Sequence, residues 1–156
     1  MRAEKLELPD ALTHVLDECR MVLPGIQALF GFQMIAVFSP GFSQTLTAGE
    51  QKLHLGAILL VVVSIILIMT PAALHRRAEP IAVSDRFIRA ATRLILWAMV
   101  PLCLGICVDI FLVTAMIWHS QTAAWIVSVT GFVLFVLLWE IYPSLYRRRG
   151  GEGVAQ

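Results

Sequence analysis

The sequence predicts an all-α polytopic membrane protein, in which an N-terminal amphipathic interfacial helix precedes four transmembrane helices in an antiparallel bundle. The first reason is composition: 58% of the 156 residues are hydrophobic and 15% are charged, which is too apolar for a soluble globular domain. The second reason is that four apolar runs each approach the ~20 residues that cross a bilayer. The third reason is the distribution of the basic residues along the chain.

Eleven of the 12 Lys and Arg residues would lie on one face of the membrane, with only Lys52 on the other. Because basic loops are retained in the cytoplasm, both termini are expected there. The eleven precede the first apolar run, separate the second from the third, or follow the fourth: Arg2, Lys5, Arg20, Arg76, Arg77, Arg86, Arg89, Arg93, Arg147, Arg148 and Arg149.

Residues 1–20 form the predicted cytoplasmic N-terminal segment. Asp10 has the character of an N-cap, and apolar residues recur at helical spacing between Leu12 and Leu23. This pattern predicts an amphipathic helix that lies at the inner membrane interface. Pro24-Gly25 is expected to join this helix to the first span, residues 21–38.

The transmembrane domain is predicted to cover residues 21–146. Its second span, residues 54–74, is the most apolar, and Pro71 is expected to kink the inner end. The third span covers residues 87–118 and the fourth covers residues 123–142. The link between these two is so short that the fourth span must return antiparallel beside the third.

The aromatic residues support this layout independently of charge. Trp118 and Trp125 fall at the outer ends of the spans, whereas Trp97 and Trp139 fall near the inner ends. Amphipathic rings prefer these two depths. A cytoplasmic tail, residues 147–156, is expected after the fourth span.

Asp109 lies deep in the third span. A carboxylate at this depth costs about 3 kcal/mol on insertion scales unless it is paired, hydrated or protonated. Its helix stripe also contains Ala98, Gly105 and Met116. Small residues mark faces that pack against other helices, so Asp109 is expected to face protein or a water-filled cavity. Asp109 is either an ion- or proton-handling carboxylate or a carboxyl that hydrogen-bonds a neighbouring helix, for instance at Gln33.

Gln27 and Gln33 are further intramembrane polar residues, on two different faces of the first span. Intramembrane glutamines commonly connect helices through hydrogen bonds worth ~1 kcal/mol. The alternative is that one of them lines a permeation path.

A polar cluster is also predicted at the inner interface. Glu140, on the inner third of the fourth span, is expected to pair with Arg93 at a similar depth and to lock the inner ends together; a gating or proton-exit role is the alternative. The cluster would tie the bundle shut, or bind a lipid headgroup or a partner subunit. With Glu140, its predicted members are Glu18, Arg20, His75, Arg76 and Arg93.

No sequence motif points to catalysis. The chain has no Gly-rich phosphate loop, no HExxH pattern and no nucleophile elbow, and its three cysteines lack metal-site spacing. We therefore predict no enzymatic activity, no cofactor and no metal. Since topology explains the basic clusters, they do not indicate a nucleic-acid partner.

Two motifs carry a resemblance to a known family. One is the run from Glu18 to Gln27, followed by Phe30-Gly31-Phe32, and the other is the run from Thr70 to Arg76. With these motifs the chain resembles a family of small uncharacterised bacterial four-helix membrane proteins, catalogued only as a domain of unknown function. The resemblance implies an all-helical protein of the bacterial inner membrane, and it implies no activity.

Two functions remain open at this point. The leading hypothesis is an oligomeric channel- or transport-type protein with Asp109 and Gln33 facing a polar path, because intramembrane carboxylates are costly and commonly functional. The other is an accessory or scaffold subunit that packs against a larger membrane complex, because interior polar groups are scarce. The expected partners are the lipid bilayer, including anionic lipid, and either further copies of the chain or a larger membrane complex.

Overall fold

A computed structural model describes residues 8–78 and 84–146 of the chain, and within these ranges the regular secondary structure is helical. After residue 136 a π-helical turn, Leu137–Ile141, and a further helical turn continue the last helix to Tyr146. The helices are α1 (Leu8–Val37), α2 (Pro40–Thr45), α3 (Ala48–Ala78), α4 (Asp85–Trp118) and α5 (Gln121–Val136).

The structure confirms four helices that are long and apolar enough to cross a membrane. They cover Thr13–Val37, Ala48–Arg77, Asp85–Trp118 and Gln121–Tyr146, so most of the predicted spans extend further as helix than the apolar runs alone indicate. The predicted tail, residues 147–156, and the first seven residues of the N-terminal segment lie outside the described residues.

The first helix does not break at Pro24-Gly25, where a joint was expected: α1 is continuous from Leu8 to Val37. Proline removes one backbone donor, and the carbonyl that loses its partner belongs to Arg20. That carbonyl lies near the predicted inner end of the span, where water is available to it. Within α1, Cys19 is buried. The placement of residues 8–20 at the interface stays a prediction.

Short polar signals turn the chain between α1 and α3. Pro40 occupies the first turn of α2, directly after Ser39. At the start of α3, Glu50 Oε2 accepts a hydrogen bond from the Thr47 backbone N–H at 2.8 Å, and Thr47 Oγ1 accepts one from the Glu50 N–H at 3.3 Å. This reciprocal capping box satisfies backbone donors that a helix start leaves without partners.

The chain divides into two compact units, Met1–Gly105 and Ile106–Gln156. The division falls inside α4, which is one continuous helix. The first unit contains α1, α2, α3 and the N-terminal part of α4, and the second contains the rest of α4, α5 and the helical turns after it.

In the first unit α3 packs antiparallel to the N-terminal part of α4. Ser64 Oγ, near the middle of α3, donates to the carbonyl of Ala98 at 2.7 Å. Towards the C-terminus of α3, His75 packs on Phe87, with ring centroids 5.7 Å apart. The helices approach closely because the residues between them are small. Ala57, Ser64, Pro71, Ala91, Ala98 and Gly105 are buried along this contact.

In the second unit α5 returns antiparallel beside the C-terminal part of α4, as the short link predicted. Ser128 Oγ donates to the carbonyl of Cys107 at 2.8 Å, and the rings of Phe111 and Trp125 lie 4.9 Å apart. The turn is tight because His119 adopts a left-handed backbone conformation with φ of 49°. Closure of all four spans into one bundle stays a prediction.

Candidate functional site

A groove of about 490 Å³ lies between α1 and α3 in the first unit. Its position follows from the antiparallel packing of these helices, which brings Cys19 of α1 near Ile68 of α3. Both of these residues are buried. At the standard helical rise Arg20 lies about 25 Å along α1 from Val37, which is nearly the thickness of the hydrocarbon core. The groove therefore lies at the end of the spans that carries the basic residues.

One end of the groove is polar and basic. Arg20 of α1 and His75 and Arg76 of α3 line it. The Arg20 Nη1 atom lies 3.3 Å from Asp17 Oδ1, in an ion pair that is largely exposed. The Nδ1 atom of His75 is buried without a hydrogen-bond partner among the described residues.

The rest of the groove is apolar. Leu16 and Leu23 contribute from α1, and Ile68, Met69 and Ala72 contribute from α3. Sequence reasoning named the charged residues but missed this apolar part. The signal that would have found it is the antiparallel pairing of α1 with α3, because this pairing places the beginning of the first motif, near Glu18, beside the second motif.

Half of the predicted inner polar cluster is thus brought together. Arg20, His75 and Arg76 share the groove, whereas Glu18 is exposed on α1. Arg93 and Glu140 have exposed side chains, in different compact units. Their ion pair stays a prediction.

Most hydroxyl groups in the spans are used by the chain itself. Ser64 and Ser128 are buried, and each donates to a carbonyl of the neighbouring helix. Thr70, Thr92 and Thr130 instead donate to carbonyls one turn back on their own helices. Pro71 leaves the carbonyl of Leu67 without its usual backbone donor, yet α3 remains helical through the proline. The Thr70 hydroxyl donates to the carbonyl of Ile66 rather than to that of Leu67.

His54 connects α3 to α1 and α2 at the end of the first unit that lies away from the groove. Its Nε2 lies 3.1 Å from the backbone carbonyl of Gln33, and its ring lies 5.4 Å from that of Phe42. Both His54 and Gln33 are buried. The sequence did not reveal this role, because a lone histidine at a span end gives no indication of its partner.

Gln27 and Asp109 differ in their surroundings. The Gln27 side chain is exposed on α1, and beside it a Cβ added at Gly31 would meet nothing within 4 Å apart from the adjacent residues and the backbone of its own helix. Asp109 is half-buried in the second unit. On its predicted stripe Ala98 and Gly105 are buried as expected, but Met116 is 44% exposed, so the packed face ends before it.

Within residues 8–78 and 84–146, His, Cys, Asp and Glu side chains do not gather in groups of three or more that could hold a metal ion. Cys103 and Cys107 are buried thiols of α4. The arrangement that the geometry does offer is a groove with basic and apolar parts, together with an exposed amide on the first span.

A family described as a family of unknown function, DUF6328, matches residues 5–143, which is nearly the whole chain. The chain therefore belongs to this family, as the two sequence motifs indicated. Neither the curated proteins nor the solved structures yielded a match.

Proposed function

We propose that this member of DUF6328 is a non-enzymatic accessory or scaffold subunit of a membrane assembly, and that its first span supplies the contact surface. The observation that carries the proposal is the exposed face of α1 around Gln27 and Gly31. Only 11% of the most apolar stretch of the first span is buried, as in the fourth span, compared with 33% for the second and third spans. Most of α1 is therefore available to another helix.

Lipid tails cannot satisfy the hydrogen-bonding groups of the Gln27 amide on this face. Gln27 lies about 10 Å along α1 from Arg20 and about 15 Å from Val37, well inside the hydrocarbon core. An amide carries donors and acceptors that lipid tails cannot satisfy. A transmembrane helix from outside the chain would satisfy them, and Gly31 beside Gln27 would let its backbone approach closely.

The internal hydrogen bonds support a scaffold over a conducting protein. Ser64, Ser128 and His54 contact backbone carbonyls of neighbouring segments, so they hold the fold together. A continuous aqueous path needs polar groups along its whole length. Groups engaged in packing are poorly placed to supply one.

The proposed partner helix comes from a second copy of the chain. A glutamine amide both donates and accepts, so two copies of Gln27 related by a two-fold axis can bond each other. The sequence also left open a larger membrane complex as the partner. The mass of the assembly in mild detergent distinguishes the two.

The substitution Gly31→Leu is expected to break this assembly without harming the chain's own fold. A leucine at this position fills the space that the partner backbone would occupy, whereas the added Cβ meets nothing within 4 Å beyond the adjacent residues and the backbone of its own helix. We expect the assembly to weaken at least about tenfold, which corresponds to about 1.4 kcal/mol, and the 17.3 kDa monomer to dominate. Size-exclusion chromatography with light scattering in mild detergent measures this.

Gly56→Leu is the matched control, because a Cβ added at Gly56 on α3 likewise meets nothing within 4 Å beyond the adjacent residues and its own helix backbone. It should leave the assembly intact, and both variants should keep the wild-type unfolding temperature. A wild-type protein that is monomeric in mild detergent and in native membranes would refute the proposed contact, as would equal loss of assembly in both variants.

Transport remains the second candidate, and Asp109 is the observation that favours it. This carboxyl is half-buried in an otherwise apolar stretch of α4, where an ionisable group is costly. An ion- or proton-handling role would explain the presence of a carboxyl at this depth.

The proposed setting is a bacterial inner membrane with both termini in the cytoplasm, which follows from the basic segments. Reporter fusions test the orientation. Fusions after Glu50 and Gln121 should report an external location, and fusions after Glu79 and Gln156 a cytoplasmic one. A cytoplasmic signal after Gln121 would contradict the four-span topology, because the third and fourth apolar runs would then form a re-entrant pair and neither would cross the membrane.

A further inference from the structure

We propose that the groove between α1 and α3 binds one anionic phospholipid, with its phosphate between Arg20 and Arg76 and an acyl chain along the apolar part. The groove residues come from two helices that are distant in sequence, so the site exists only in the folded chain. This inference does not depend on the scaffold proposal, because it rests on groove residues of α1 and α3 that lie nearer the inner end of α1 than Gln27 and Gly31 do.

The charged end matches a lipid phosphate in chemistry and in depth. Arg20 and Arg76 line the groove from opposite sides, and guanidinium groups bind phosphate oxygens through paired, charge-assisted hydrogen bonds. They lie at the end of the spans where anionic headgroups are found in a membrane of the predicted orientation. Asp17 competes for Arg20 at 3.3 Å, but their side chains are 50% and 79% exposed, and exposed pairs of this kind are weak.

His75 provides a second, independent indication of a ligand. It lines the same groove, and its Nδ1 is buried without a hydrogen-bond partner among the described residues. Buried polar atoms in folded proteins nearly always have a partner. A rotation of the His75 ring towards the groove would give Nδ1 a phosphate or ester oxygen of the lipid as its partner.

The apolar part favours a lipid over a free anion. Beyond the basic residues the groove is lined by Leu23, Ile68 and Met69, which offer nothing to a hydrated phosphate ion. These side chains would lie against an acyl chain that enters from the bilayer. Both halves of the groove are therefore explained by one amphipathic ligand.

The test measures lipid binding to the purified full chain in detergent, by thermal shift and by native mass spectrometry. The probes are phosphatidylglycerol, phosphatidylcholine with the same acyl chains, and inorganic phosphate. We expect phosphatidylglycerol to raise the unfolding temperature by about 5 °C more than phosphatidylcholine does, and to remain bound as a single molecule. Inorganic phosphate should produce no shift.

Variants locate the site. The double substitution Arg20→Gln with Arg76→Gln should weaken phosphatidylglycerol binding at least about tenfold. The matched control is Arg77→Gln, which removes an exposed charge from the same helix outside the groove and should change binding less than about twofold. If the double variant does not fold, Ala72→Phe keeps every charge and fills the apolar part, and it should also prevent binding.

Three results would overturn the proposal. Equal stabilisation by both lipids would mean that the charges do not select the headgroup. An equal loss in Arg77→Gln would mean that binding follows net charge rather than the groove. Undiminished binding in Ala72→Phe would mean that no acyl chain occupies the apolar part.

Discussion

The substitution Gly105→Leu is expected to lower the stability of the protein by about 3 kcal/mol or more, and its unfolding temperature by about 10 °C. Gly105 is buried where α4 meets α3. A Cβ at this position would stand 3.2 Å from the carbonyl oxygen of Ala57 and 3.2 Å from Val61 Cγ2. Backbone cannot yield as a side-chain end can, so the three further carbons of leucine would force the helices apart. The Ser64 to Ala98 hydrogen bond would then lengthen as well.

A graded series makes this expectation specific. Gly105→Ala should cost less than Gly105→Leu, because one methyl group needs only a shift of a few tenths of an ångström. Gly56→Leu adds the same leucine to α3 in open space and should be nearly neutral. Thermal unfolding in mild detergent measures all three. Equal stability of Gly105→Leu and Gly56→Leu would show that α3 and α4 do not approach as closely as described.

The four spans were predictable from sequence because they follow from local composition. Each apolar run is long enough to cross a bilayer, and lipid requires a continuous run of helix to satisfy the backbone. The helix ends were less predictable. The joint expected at Pro24-Gly25 is absent and α1 is continuous, because the one carbonyl that loses its partner lies near the span end, where water can bond it.

The contacts between helices were only partly predictable. Ala98 and Gly105 were identified as a packing face, and both are buried. Which helix they pack against was not readable, because small residues show where backbones can approach but not which partner does so. The hydrogen bond from Ser64 to Ala98 depends on that choice, so it emerged only from the three-dimensional arrangement.

The groove shows the same limit for the candidate site. Arg20, His75 and Arg76 were named because charged residues beside apolar runs stand out in sequence. Leu23 and Met69 did not stand out, since an apolar residue in a span has the same pattern whether it faces lipid or lines a cavity. Depth along a helix is set by sequence, whereas the direction a residue faces is set by its neighbours.

Asp109→Asn distinguishes the scaffold from the transporter, and the expected result is that no ion flux depends on this residue. Asparagine keeps nearly the same shape and hydrogen-bonding reach but cannot ionise. If the Asp109 carboxyl only hydrogen-bonds a neighbouring helix, the asparagine amide keeps that role and removes the cost of burying a charge. The unfolding temperature should then stay the same or rise, by at most about 10 °C, and the assembly should persist.

The flux measurement uses purified protein in liposomes under proton, sodium and potassium gradients, with protein-free liposomes for the background. Thr130→Val is the matched control, because the Thr130 hydroxyl donates to the carbonyl of Ile126 on its own helix. We expect wild type, Asp109→Asn and Thr130→Val all to show background flux. A pH-dependent flux in wild type and Thr130→Val that disappears in Asp109→Asn would instead make Asp109 the ion-handling group, and the transport function would replace the scaffold.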